Sequence, residues 1–197
     1  MKGQNHSKKV RAFIALHLPE AAKAELELVA DVLAGQMPPR SVRWVKPHLM
    51  HLTLRFLGDT AVSDLPALYA ALDEIAAAHQ PITLHLANLG CFPNRSRPRV
   101  IWAGLDGEVT AVQALQAAIE QAVCNLGFPP EDKPFNPHLT LGRVKDGRLL
   151  RGVEWGTTVK KISVPVTAVH LMQSDLRPGG PIYTVRHTSQ LTMSNEQ

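Results

Sequence analysis

The chain has 197 residues, 45% hydrophobic and 19% charged, a balance that suits a folded body with a sizeable core and excludes a wholly disordered or collagen-like polymer. A formal net charge of +4 makes it mildly basic, which is compatible with an anionic partner but shared by many proteins that have none. No apolar run approaches the roughly 18 residues of a membrane helix. The polar start MKGQNHSKK has no signal-type apolar segment behind it, so a cytoplasmic protein with no membrane association is expected. A monomer is expected as well, although the sequence does not fix the oligomeric state. Cys91 and Cys124 are too few for a disulfide framework and lack the close pairing of a zinc or redox motif.

In chain order, the branched and aromatic stretch from Ala12 to Leu18 predicts a strand. The segment 18–35 predicts a helix, with Ala24, Leu28, Val32 and Leu33 near helical spacing and Gly35 as terminator. VRWV and HLTLRFLG, starting at Val42 and His51, predict further strands. Residues 62–80 predict a second helix with Leu68, Leu72, Ile75 and Ala76 on one side. ITLHLANLG and VIWAGL predict strands on either side of the loop CFPNRSRPR. A third helix runs from Glu108 to about Asn125 through Val112, Leu115, Ile119 and Val123. The proline-rich FPPEDKPFNP leads into a second HLTL at His138, and residues 146–158 carry no clear pattern. Finally, ISVPVTAVHLMQSDL and PIYTVRHTSQ predict two closing strands around the turn-forming RPGGP.

The order of strand, long helix, proline-bearing link and HLTL strand occurs twice. His138 follows His51 by 87 positions, and the same offset carries Phe13, Ile14 and Leu18 onto Val100, Ile101 and Leu105. The pattern implies a duplicated α+β architecture of two similar lobes related by a pseudo-two-fold axis. Each lobe is expected to hold an antiparallel-containing sheet covered by helices, with both HLTL strands facing a central cleft. The whole of 1–197 is expected to form one domain, with 1–10 and 190–197 as loose ends.

Side chains alternate faces along a strand, so His51 and Thr53 share one face while Leu52 and Leu54 share the other, and likewise His138 and Thr140 against Leu139 and Leu141. His48, three residues before His51, would point the opposite way. His-Leu also occurs at His17, His85 and His170, but only His51 and His138 have threonine two positions on. Two imidazoles, one neutral and one protonated, on opposite sides of a phosphorus make an acid-base pair for in-line displacement near neutral pH. The threonine hydroxyls can donate to the non-bridging oxygens. This chemistry needs no metal or cofactor. The sequence has no HExxH or CxxC cluster, no glycine-rich phosphate loop with lysine, and no GxSxG elbow. Spacing alone leaves open which histidine is acid and which is base.

HLTL at 51–54 and 138–141, with RAFIALHLP leading the first lobe and KPFNPHLTLGR the second, resembles the two-histidine (2H) phosphoesterase superfamily. Within it the chain is most similar to bacterial RNA 2',3'-cyclic phosphodiesterases of the 2'-5' RNA ligase-like type, from about Arg11 to about Thr188. The resemblance implies hydrolysis of the 2',3'-cyclic phosphate of RNA ends or small nucleotides to a 2'-phosphate. His51 would be the proton donor to the departing 3'-oxygen and His138 the proton acceptor from water. Thr53 and Thr140 would hold the phosphate. Reversal with a 5'-hydroxyl would give 2'-5' RNA ligation. The alternative is a non-catalytic module that binds phosphorylated RNA ends.

Arg143 lies three residues after Thr140, where its planar fork could reach the substrate phosphate; a solvated strand-end charge is the plainer reading. Arg55 shares the alternation face of His51 and Thr53 and could line the cleft. Arg95, Arg97 and Arg99 form a local basic run able to attract an RNA backbone. Phe13, Trp44 and Phe135 could stack on a base; they are read as core residues.

Overall fold

The structure is a computed structural model that describes residues 8–192. Its strands are β1 (Lys9–His17), β2 (Val42–Trp44), β3 (His51–Ala61), β4 (Ile82–Phe92), β5 (Val100–Gly107), β6 (Leu139–Val144), β7 (Ser163–Val166), β8 (Ala168–Arg177) and β9 (Gly180–Gln190). Three helices, α1 (Glu20–Gln36), α2 (Leu65–Ala77) and α3 (Val109–Asn125), are interleaved with them. One sheet has the order β3-β1-β8-β9 and the other β2-β6-β5-β4-β7. The pairs β3-β1 and β6-β5, each an HLTL strand beside its lobe's leading strand, correspond in the two sheets, except that β3 is an edge strand whereas β6 has β2 outside it. The fold is therefore α+β with two related lobes, as the repeat implied.

Packing crosses between the lobes. Helix α1, which follows a strand of the first sheet, contacts β6 of the second, whereas α3, which follows β5 of the second, contacts β3 of the first. Helix α2 lies against β8, β9 and α3. One hydrophobic cluster accordingly contains Leu52 and Leu54 of β3 together with Leu139 and Leu141 of β6. The strand alternation explains this: each HLTL motif turns its leucines inward to a shared core and leaves histidine and threonine partly exposed on the opposite face. A separate small cluster of Phe13, Ala15 and Met172, with Tyr183 against it, lines the other side of the first sheet.

Several expectations need correction. The buried stripe of α1 is Ala22, Leu26, Val29 and Leu33, while Leu28 and Val32 are 58% and 48% exposed. At about 100° per residue Ala24 lies roughly 200° round the helix from Ala22, so the row Ala24, Leu28 and Val32 starts on the solvent face and only Leu33 falls within the buried stripe. The first predicted closing strand is two strands. The chain leaves β7, paired with β4 in the second sheet, and at Thr167 crosses to the first sheet, where β8 pairs with β1. His48 is exposed in a 3-10 turn over Pro47–Leu49, so it is set apart by that turn and not by strand alternation. Residues 9–10 and 190, expected to be loose, are strand; 1–7 and 193–197 lie outside the described residues.

Candidate active site

The two HLTL strands carry the same irregularity at the same place. In β3, Ala15 faces Thr53 and Ile14 faces Arg55, so Leu54 is an extra, bulged residue. In β6, Trp102 faces Thr140 and Ile101 faces Gly142, so Leu141 is the extra one. A bulge interrupts alternation and re-aims the side chains beyond it. Arg55 and Gly142 therefore turn to the core side, while Phe56 and Arg143 come round to the face of the histidines and threonines.

This overturns the expected cleft position of Arg55. Its side chain is only 5% exposed and is held by the structure behind the cleft. Arg55 Nη1 donates to the Phe56 carbonyl and Glu131 Oε1, both at 2.7 Å, and Nη2 donates to the Pro129 carbonyl. Its Nε lies 2.5 Å from Glu120 Oε2 of α3 in an ion pair. By contrast, the same bulge brings Arg143 to the cleft face, which plain alternation from Thr140 would not have done.

Both histidines are oriented alike. His51 Nδ1–H donates to the Leu49 carbonyl at 2.8 Å and His138 Nδ1–H to the Asn136 carbonyl at 2.7 Å, each two residues upstream. A carbonyl can only accept, so the proton sits on Nδ1 and the Nε2 atom of each neutral ring is the one free for proton transfer. Aromatic rings pin both imidazoles. Phe13 lies 4.9 Å from the His51 ring centroid and Tyr183 stands edge-on at 5.4 Å. Phe92 stands edge-on to His138 at 5.0 Å, with Trp102 at 6.5 Å. Strands β3 and β6 are in contact, which brings the two motifs together at the junction of the sheets.

Burial lowers the His51 pKa to about 4, opposed by its bond to Leu49 and assisted by the nearby His17. The His17 ring stacks on His170 at 3.8 Å, and His170 Nδ1 lies 3.0 Å from Thr188 Oγ1. Burial also raises the Tyr183 pKa, with the charges of Arg143 and Arg11 pulling the other way. Arg143 on the second lobe thus acts electrostatically on a side chain of the first, across the cleft. Among the described residues, the hydroxyls of Thr53 and Thr140 have no protein hydrogen-bond partner and Arg143 has no ion pair.

The other candidates separate cleanly. Arg95 is taken up structurally: its guanidinium lies 4.5 Å over the Trp155 ring and Nη1 donates to the Trp155 carbonyl at 3.0 Å. Trp44 and Phe135 pack against the main core, whereas Phe13 lies on the cleft side. The sequence reading missed Phe56, which is 56% exposed on the cleft face, and Tyr183, Phe92 and Trp102 around the histidines. Phe56 had a signal, since the offset of 87 makes it the first-lobe equivalent of Arg143. Among the described residues, no group of three or more His, Cys, Asp or Glu is arranged to hold a metal ion, and no helix is long and apolar enough to cross a membrane. A cavity of about 650 Å³ lined by residues including Asn88, Arg95, Asp106 and Lys161 contains neither histidine in its wall.

The chain matches the family described as "LigT like Phosphoesterase" over residues 16–102 and 105–183. It is 33% identical to the RNA 2',3'-cyclic phosphodiesterase of Methanothermobacter thermautotrophicus over 186 residues, covering 89% of this chain and 96% of that one. The Thermus thermophilus protein of the same name is 35% identical over 185 residues, covering 89% and 87%. Among solved structures, the Thermus thermophilus protein TT0787 superposes with a TM-score of 0.78 at 32% identity, covering 92% of this chain and 97% of that one. E. coli LigT complexed with 3'-AMP gives 0.72 at 27%, covering 94% and 100%. With its doubled fold and paired histidine-threonine strands, the chain belongs to the LigT-like phosphoesterase family.

Proposed function

We propose that the chain hydrolyses 2',3'-cyclic phosphates of RNA ends or nucleotides to 2'-phosphates by acid-base catalysis between His51 and His138, without a metal. The observation that carries this reading is the doubled arrangement itself. Each lobe supplies an imidazole whose Nδ1–H is tied to the carbonyl two residues upstream, a threonine hydroxyl with no protein partner, and the same bulge beyond it. The names of the relatives point to the same substrate class.

In this mechanism the cyclic phosphate sits with its phosphorus between the two Nε2 atoms. His138 Nε2 takes a proton from water as its oxygen attacks phosphorus. The bond to the 3'-oxygen breaks and His51 Nε2–H protonates that oxygen, leaving a 2'-phosphate and a free 3'-hydroxyl. Thr53 and Thr140 donate to the non-bridging oxygens, and Arg143 offsets their negative charge. Phe56 offers its exposed ring to the terminal base. The donor role requires that substrate change the state of His51, whose pKa of about 4 leaves it neutral in the free chain at neutral pH. A phosphodiester anion beside the ring favours its protonated form and opposes the effect of burial. Attack by a 5'-hydroxyl in the reverse direction would form a 2'-5' linkage. The proposal places this activity in a cytoplasmic monomer.

The test is incubation with adenosine 2',3'-cyclic phosphate in the presence of EDTA, with the product identified by chromatography. The expected product is 2'-AMP, with near-complete loss of turnover in His51→Ala and in His138→Ala. Tight binding without product would replace the enzyme with an RNA-end-binding module. Loss of turnover on chelation, restored by zinc, would refute the two-histidine mechanism.

A further inference from the structure

Strand β2 lies at the edge of the second sheet and pairs antiparallel with β6 so that Arg43 stands directly opposite Arg143. Directly opposite residues of an antiparallel pair project on one face with Cα atoms about 5 Å apart, and like charges there destabilise the pair. Among the described residues no acidic side chain relieves this repulsion. Both arginines are exposed, and neither has a carboxylate within 4.0 Å among those residues. The acid nearest in sequence, Asp146, is engaged by Arg148 at 2.7 Å. More cations border the same end. Lys145, also exposed and with no ion pair among the described residues, is tied by its backbone N–H to the Ser41 carbonyl beside β2, and the Arg99 carbonyl accepts from Val144 N–H.

We propose that this end of the cleft is a second phosphate subsite, centred on Arg43 and bordered by Lys145 and Arg99, for the phosphodiester on the 5' side of the terminal nucleotide. The inference rests on the cyclic-phosphate reading above and extends it: the subsite selects an RNA strand over a mononucleotide. Arg43 shares the face of Arg143 and lies one strand further out, so an anion adjoining the bound terminal nucleotide relieves the repulsion between the two guanidiniums. The next backbone phosphate is covalently attached to that nucleotide and is delivered there at high effective concentration. A mononucleotide 2',3'-cyclic phosphate has no such group.

The experiment compares kcat/KM for adenosine 2',3'-cyclic phosphate and for a short oligoribonucleotide ending in the same group, across a series of KCl concentrations. It uses the wild-type chain, Arg43→Gln and Arg43→Lys. Arg43→Gln should leave mononucleotide turnover near wild type and lower oligonucleotide kcat/KM by roughly 5- to 10-fold at low salt. The dependence of log kcat/KM on log salt for the oligonucleotide should flatten by about 0.7, as expected for one lost contact to a single strand. Arg43→Lys should restore most of both effects. Equal losses on the two substrates, or none on the oligonucleotide, would overturn the subsite while leaving the cyclic-phosphate reading intact. Absence of turnover of either substrate by the wild type would instead refute that reading, and the subsite with it.

Discussion

Arg55→Met removes a charge from behind the cleft while keeping the length of the side chain. The guanidinium joins β3, which carries His51, to Glu120 on α3 and to Pro129 and Glu131 in the connection that leads to His138. It therefore ties one HLTL strand to the approach of the other. Removing one partner of a buried ion pair costs about 3–5 kcal/mol. The carboxylates of Glu120 and Glu131 are 23% and 37% exposed and keep some contact with water, which reduces the expected cost to about 2–4 kcal/mol. For a chain of this size that corresponds to a melting temperature lower by roughly 5–15 °C. Hydrolysis should weaken mainly in kcat, because the His138 segment is less constrained. Arg55→Met/Glu120→Met, which removes both buried charges, should be more stable than the sum of the single losses predicts. Circular-dichroism melting and turnover of a cyclic nucleotide measure both effects. A melting temperature unchanged within about 2 °C for Arg55→Met would refute the clamp, as would strict additivity in the double variant.

His51 should titrate near 4 in an NMR pH series on the free chain and move upward when 2'-AMP is bound; a midpoint near the ordinary histidine value in the free chain would contradict its burial. Because the folded pKa lies below the unfolded value of 6.5, the unfolded chain binds more protons between the two. Stability should consequently fall as pH drops from about 6.5 to about 4, and His51→Asn should flatten that slope in urea titrations. Gly90→Ala would place a Cβ 2.2 Å from Trp102 Cζ2, so the indole must shift away from its place beside His138. A cost of about 1–3 kcal/mol and a changed tryptophan emission are expected, and wild-type spectra and stability would show that the ring is not held there. Thr53→Ala and Thr140→Ala should each lower kcat by about 10²–10³ with little change in melting, since neither hydroxyl bonds to the protein. Full activity in both would remove their assigned role.

The two lobes and the histidine-threonine pairs were legible because period-2 alternation and the offset of 87 are properties of the chain itself. The bulges at Leu54 and Leu141 were not, because HLTLR and HLTLG contain nothing that distinguishes a bulged strand from a regular one. That local feature reversed the assignment of Arg55 and concealed Phe56. The stripe of α1 was misread because Leu28 and Val32 are as apolar as the buried Leu26 and Val29, and only tertiary packing chooses between them. The crossing at Thr167 was hidden for a similar reason: ISVPVTAVHL has one continuous strand pattern, although its two parts belong to different sheets. Tyr183 approaches His51 through long-range strand pairing, which no local motif encodes.

That crossing also governs when the molecule can work. The first sheet combines β1 and β3, from the opening third of the chain, with β8 and β9, from its last quarter. A nascent polypeptide stalled before Ala168 has already produced His51 and His138, yet its β1 lacks the inner neighbour on which Phe13 and Ala15 pack. Closing a loop of such length makes pairing slow and leaves strand edges bare in the interim. Catalytic competence should therefore emerge late in biosynthesis, when the β8-β9 hairpin docks, and a truncated product should aggregate rather than retain partial activity.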